Sequence, residues 1–106
     1  MGSLSAGSTM PRFQAQASDA QAVETFFASY PELGHLRVRR RGDLLTLESG
    51  PSDDPHRHAR LRRATVHLWR LEMPDSASRW SPTPWRDHLK VLLEMLVQQF
   101  PWTLAL

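Results

Sequence analysis

The stretch Leu36-Arg37-Val38-Arg39 alternates apolar and guanidinium side chains, and Leu45-Thr46-Leu47-Glu48 answers it with the same period of two. A β-strand sends successive side chains to opposite faces. Paired as a hairpin, the two stretches therefore make a sheet with one apolar and one arginine-bearing face. Such a sheet must cover its apolar face with another layer and turn the other toward water or an anionic partner. Placing the turn at Arg41-Gly42 pairs Val38 with Leu45 and Leu36 with Leu47. Arg37, Arg39, Arg41, Leu44 and Thr46 then point the other way, with Glu48 placed to answer part of their charge.

Nine of the 13 basic residues lie between Arg37 and Arg70, and all nine are arginine. Only Asp43, Glu48, Asp53 and Asp54 oppose them there, so a net charge of +2 conceals a local excess of five. Twelve arginines against one lysine is what a need for planar, bidentate donors produces. A GC-rich coding sequence produces it too, so arginine content alone assigns no role.

The 106 residues suit one small domain. Residues 1–17 are small, polar and aperiodic, which predicts a disordered leader, partly vector-derived if Met10 is the natural start; residues 18–106 form the domain. Ser18 and Gln21 fit a capping box ahead of a short helix carrying Val23, Phe26, Phe27 and Tyr30 on one side, stopped by Pro31. Residues 49–55 are dense in turn formers. Residues 57–73 read either as a second hairpin turning at Arg63-Ala64, pairing Leu61 with Val66 and Ala59 with Leu68, or as one long bent strand. In its second arm Val66 and Leu68 face one way, and Trp69, Leu71 and Met73 the other. A loop follows, with room for a short strand at Arg79-Trp80, and Thr83-Pro84 reads as the start of a helix running to Phe100. Its stripe is Trp85, Leu89, Leu92, Leu93, Leu96 and Phe100. The expected class is α+β: an antiparallel three- to four-stranded sheet flanked by an N-terminal and a C-terminal helix, in the order α-β-β-β-β-α.

Ala59-Arg60-Leu61-Arg62, Trp69-Arg70-Leu71, Trp80-Ser81-Pro82 and the leucine-rich run Leu92 to Leu96 with Phe100-Pro101-Trp102 carry a resemblance. Over roughly residues 35–102 the chain resembles a family of short bacterial proteins of uncharacterised function. The resemblance implies the order of elements and no chemistry.

No cysteine is present, which removes disulfides and thiol chemistry. No apolar run approaches the ~20 residues of a membrane-spanning helix, so no membrane partner and a bacterial-type cytoplasm are expected. His56 and His58 share a strand face, with His67 across the hairpin, but Arg60 and Arg62 lie on that face and raise the cost of a dication; no metal and no cofactor are expected. The carboxylates are scattered, and glycine-rich phosphate loops and nucleophile or zinc-protease motifs are absent, so no enzyme is expected.

Two binding readings remain. Val91 and Met95 fall on the outward side of the last helix, and the tail ends on Trp102 and Leu104. With Trp69 and Met73 these residues are the candidate interface of a non-enzymatic interaction or accessory domain, a homodimer or one bound to a protein partner. The plainer account is a tail that folds back and ordinary exposed aliphatics. The alternative partner is nucleic acid, with Arg37, Arg39, Arg60 and Arg62 on phosphates and Trp69 as a stacking platform. The element order resembles that of double-stranded RNA binders. The basic cluster those carry at the start of the last helix is replaced here by Trp85-Arg86-Asp87-His88-Leu89-Lys90.

Overall fold

The computed structural model describes residues 13–75 and 79–105, and the fold is α+β. Helix α1 (Ala17–Ala28) and a 3-10 turn (Pro31–Leu33) precede five strands: β1 (Arg37–Arg41), β2 (Leu44–Ser49), β3 (His56–Arg63), β4 (Trp69–Pro74) and β5 (Trp80–Asp87). Helix α2 (Leu89–Gln99) and a single turn, α3 (Pro101–Leu104), close the chain. The strands form one antiparallel meander in sequence order, a strand more than the patterning predicts.

All the helices lie on one face of the sheet. Val23 and Phe27 of α1, Leu33, Leu92, Leu93 and Leu96 of α2 and Leu104 of α3 meet Leu45, Leu47, Ala59, Leu61, Trp69 and Leu71 in a single core. The opposite face has no covering layer among the described residues.

The first hairpin keeps its predicted faces in a different register. Arg41 pairs with Leu44 and Val38 with Leu47, so the turn is Gly42-Asp43. Gly42 supplies the positive φ of 59° that such a tight connection demands. Residues 57–73 form a hairpin, not one bent strand, and its turn is a loop over residues 64–68. The Ala64 and Thr65 N–H groups donate to the Leu68 carbonyl, and Thr65 Oγ1 accepts the Leu68 N–H. Leu61 therefore faces Leu71, and Arg63 faces Trp69. The shift buries Trp69 and Leu71 and leaves Val66 and Leu68 exposed, which removes more apolar area from water than the predicted pairing.

The largest difference lies at residues 80–87, a strand where a loop and a helix start are predicted. Pro82 and Pro84 fit because β5 is an edge strand, where a missing N–H breaks no second ladder. The ladder is irregular there: Arg70 faces Arg86, but Glu72 faces Pro82. Thr83 fills the gap with its side chain, donating to the Leu71 carbonyl at 2.7 Å and accepting the Trp85 N–H. The residue that resembles a helix cap thus completes a sheet edge, and α2 begins only at Leu89.

The boundary of the domain also moves. Residues 1–12 lie outside the described residues, but Ala15 is buried and its N–H donates to the Gly42 carbonyl. The capping box of α1 is Gln16 with Asp19, whose carboxylate accepts the Gln16 N–H at 2.8 Å, in place of Ser18 with Gln21. Arg40 and Arg63 bind the carbonyls of Ala15 and Gln14, fastening this segment to the sheet.

Candidate functional site

The uncovered sheet face carries arginine in rows across the strands. One row reads Arg41, Leu44, Arg62, Arg70, Arg86 from β1 to β5, and the next reads Arg39, Thr46, Arg60, Glu72, Pro82. Like charges directly opposite one another destabilise a sheet unless something answers them. Two carboxylates at its surface do so in part. Glu72, 3% exposed, accepts from Arg60 Nε at 2.5 Å, Arg62 Nε at 3.0 Å and Arg70 at 2.9 Å. Glu48, 2% exposed, accepts from Arg37 Nε and Arg39 Nε at 3.3 and 3.2 Å. Arg62 also reaches Asp43 at 3.0 Å.

Each glutamate thus lies beneath the arginines it holds, and the aliphatic stems shield the sheet face that no helix covers among the described residues. Burial pushes the Glu72 carboxyl up, but the hydrogen bonds from Arg60, Arg70 and Arg62 outweigh it and hold the group below the ordinary glutamate range. Burial also opposes the charge on Arg62, and Glu72 and Asp43 more than restore it. The arrangement does not cancel the face. Arg37, Arg39, Arg41, Arg57, Arg60, Arg62, Arg70 and Arg86 still outnumber Glu48, Glu72 and Asp43 by five. Trp80 lies at the edge of this face, with the Arg60 guanidinium carbon 4.6 Å from its ring centroid.

On the helix side a second feature stands out. Between Glu48 and Leu47 the register of β2 on β3 shifts by one, and the extra residue in β3 is His58. Bulges re-aim side chains, and this one turns His58 under α3. Its Nδ1 donates to the Thr103 carbonyl at 2.9 Å, which can only accept, and its Nε2 accepts a hydrogen bond from the Ser49 hydroxyl at 2.8 Å. His35 Nε2 donates to the Leu104 carbonyl at 2.6 Å, and Thr103 Oγ1 returns a bond to the His58 carbonyl. Burial lowers the His58 pKa against the support of Thr103, and the neighbouring His56 and His35 rings lower it further. Ser49 and His58 are both buried, so this hydroxyl and imidazole tie down the C-terminal turn and present no open nucleophile. Held in this way, α3 projects Trp102, 69% exposed, beyond Phe100 and Trp85 in an aromatic run with ring centroids 6.0 and 5.2 Å apart.

Arg37, Arg39, Arg60 and Arg62 share one face, as their spacing predicts. Of the apolar candidates, Val91 and Trp102 are exposed, Met73 and Met95 are half-buried against the core, and Trp69 and Leu104 are core residues. Trp69 is no stacking platform for the arginine face, because the loop at 64–68 places it on the helix side, where the Arg63 guanidinium covers it. Nor does His58 share a face with Arg60 and Arg62, and His67 lies near His88 instead. Among the described residues no group of three or more His, Cys, Asp or Glu side chains is disposed to hold a metal ion. No helix among them is long and apolar enough to cross a membrane.

Arg70, Arg86, Glu72 and Trp80 complete the face and are missing from the sequence reading. The alternation Arg70-Leu71-Glu72 was legible once Trp69 is taken as buried; Arg86 and Trp80 depend on β5, which two prolines disguise. The chain matches no protein-family model, no curated protein and no solved structure.

Proposed function

We propose that the chain is a non-enzymatic interaction domain that pairs with a second copy of itself through the aromatic surface of its C-terminal turn. The observation that carries this reading is Trp102. A tryptophan 69% exposed stands on a turn anchored by two imidazole–carbonyl bonds and by the buried Leu104. Ordering a side chain before binding removes part of the entropy cost of association, and tryptophan is the residue type most enriched where interfaces concentrate their energy. Phe100 and Trp85 extend the apolar patch, and Val91, 40% exposed, adds a further apolar residue on α2. A second copy is the economical occupant, because an isologous contact sets the same patch against itself.

Sedimentation equilibrium of the full chain tests the reading. Twice the chain mass is expected, and Trp102→Glu is expected to weaken pairing by at least about 30-fold, the effect of losing an interface hot spot. A single-chain mass at the highest concentration attainable refutes self-pairing.

A further inference from the structure

We infer that the uncovered sheet face is a second binding surface, a track for single-stranded nucleic acid. The inference is independent of the C-terminal patch, which lies with the helices on the other side of the sheet.

The row Arg41, Arg62, Arg70, Arg86 crosses all five strands, a span of about 19 Å at the usual strand spacing of ~4.8 Å. Arg62, Arg70 and Arg86 are directly opposite one another on three successive strands. A protein has no folding reason to set three like charges in line. Glu72 and Asp43 engage Arg62, and Glu72 engages Arg70, while Arg41 and Arg86 make no ion pair among the described residues. The Arg70 Nε is buried with no partner among those residues. Glu72 grips Arg60 and Arg62 by their Nε atoms, and the Arg60 guanidinium also stacks on Trp80. Guanidiniums fixed in this way are ordered before a phosphate arrives, so less freedom is lost on binding.

Two features select a single strand. The face is bare sheet and, among the described residues, carries no helix to enter a duplex groove. Trp80 lies on the same face beyond the neighbouring Arg60–Glu72 row, stacked with Arg60, and helps line a cavity of about 360 Å3 together with Pro55, His56, Arg57, Pro74 and the carboxylate-bearing Asp75. Rings, a guanidinium and an imidazole around a slot of that size suit a planar base, and a base is accessible only when unpaired. An acidic peptide without aromatic side chains satisfies the charge but offers no ring to stack in the Trp80 slot.

The test is fluorescence anisotropy with labelled oligo-dT and oligo-U of about 12 nucleotides and a duplex of the same length, titrated with the full chain between about 50 and 200 mM salt. If the four row arginines neutralise four phosphates, affinity for the single strand falls about 50-fold over that range. The single strand is expected to bind at least tenfold more tightly than the duplex. Arg41→Gln with Arg86→Gln removes two charges that hold nothing together in the fold. That pair is expected to lower affinity and cut the salt dependence by about half while leaving the thermal melt in place.

No binding at the lowest salt overturns the inference. So does a duplex that binds as tightly, polyglutamate that competes as well as oligo-dT, or binding that the paired variant leaves unchanged. Oligonucleotide binding that stays intact in Trp102→Glu supports the inference, since the two surfaces lie on opposite sides of the sheet.

Discussion

Burial depresses the His58 pKa, and the direction fixes a pH response. The native state holds His58 neutral while the unfolded chain takes up a proton below the ordinary value of 6.5. Stability therefore falls as pH drops below about 6.5 and levels off once pH passes the lower native value. Urea titrations at neutral pH and near pH 5 are expected to show this loss. His58→Gln, which binds no proton, is expected to start about 1–2 kcal/mol less stable and to lose less on acidification.

Glu72 responds in a separate window. Its pKa is lowered, so its contribution is complete above the ordinary 4.5 and disappears as pH falls from there through the native value. Glu72→Gln at neutral pH leaves Arg60, Arg62 and Arg70 facing one another. The expected cost is about 2–3 kcal/mol, below the ~3–5 kcal/mol of a wholly buried pair because these arginines keep some contact with water. The period-two pattern makes the pairing of Glu48 with Arg37 and Arg39 legible in sequence. The threefold grip on Glu72 is not, since it requires the register of three strands.

Elements are where sequence reasoning and structure part most. Helix α1 and the first hairpin follow from periodicity, because each carries a clean apolar face flanked by a proline or a glycine. The second hairpin misleads because Val66 and Leu68 are as apolar as the residues that displace them, and only the gain from burying Trp69 decides between registers. Strand β5 misleads because proline and threonine carry the same local signal at a helix start as at a sheet edge. The hydroxyl of Thr83 is what lets β5 continue past its irregular pairing. Thr83→Val keeps the shape and removes both bonds, so a loss of about 1–2 kcal/mol is expected by chemical denaturation. Thr83→Ser restores most of it. Equal stability of all three proteins refutes the role given to the hydroxyl.

At the scale of the molecule the sheet divides two kinds of surface. The helix side supplies the core and projects Trp102, while the far side is a layer of arginines over two glutamates with a surplus of five charges. Separation by a rigid sheet predicts that effects on the two sides add without coupling, as they do for distant sites that share no contacts. Trp102→Glu is expected to reduce the mass in solution to one chain and to leave oligo-dT affinity per chain unchanged. Arg41→Gln with Arg86→Gln is expected to do the reverse, and the combined variant to show both losses at their separate sizes. Coupling of more than about 0.5 kcal/mol between the two sets, read from the affinities of all four proteins, means that pairing reshapes the sheet face and that the two surfaces work as one.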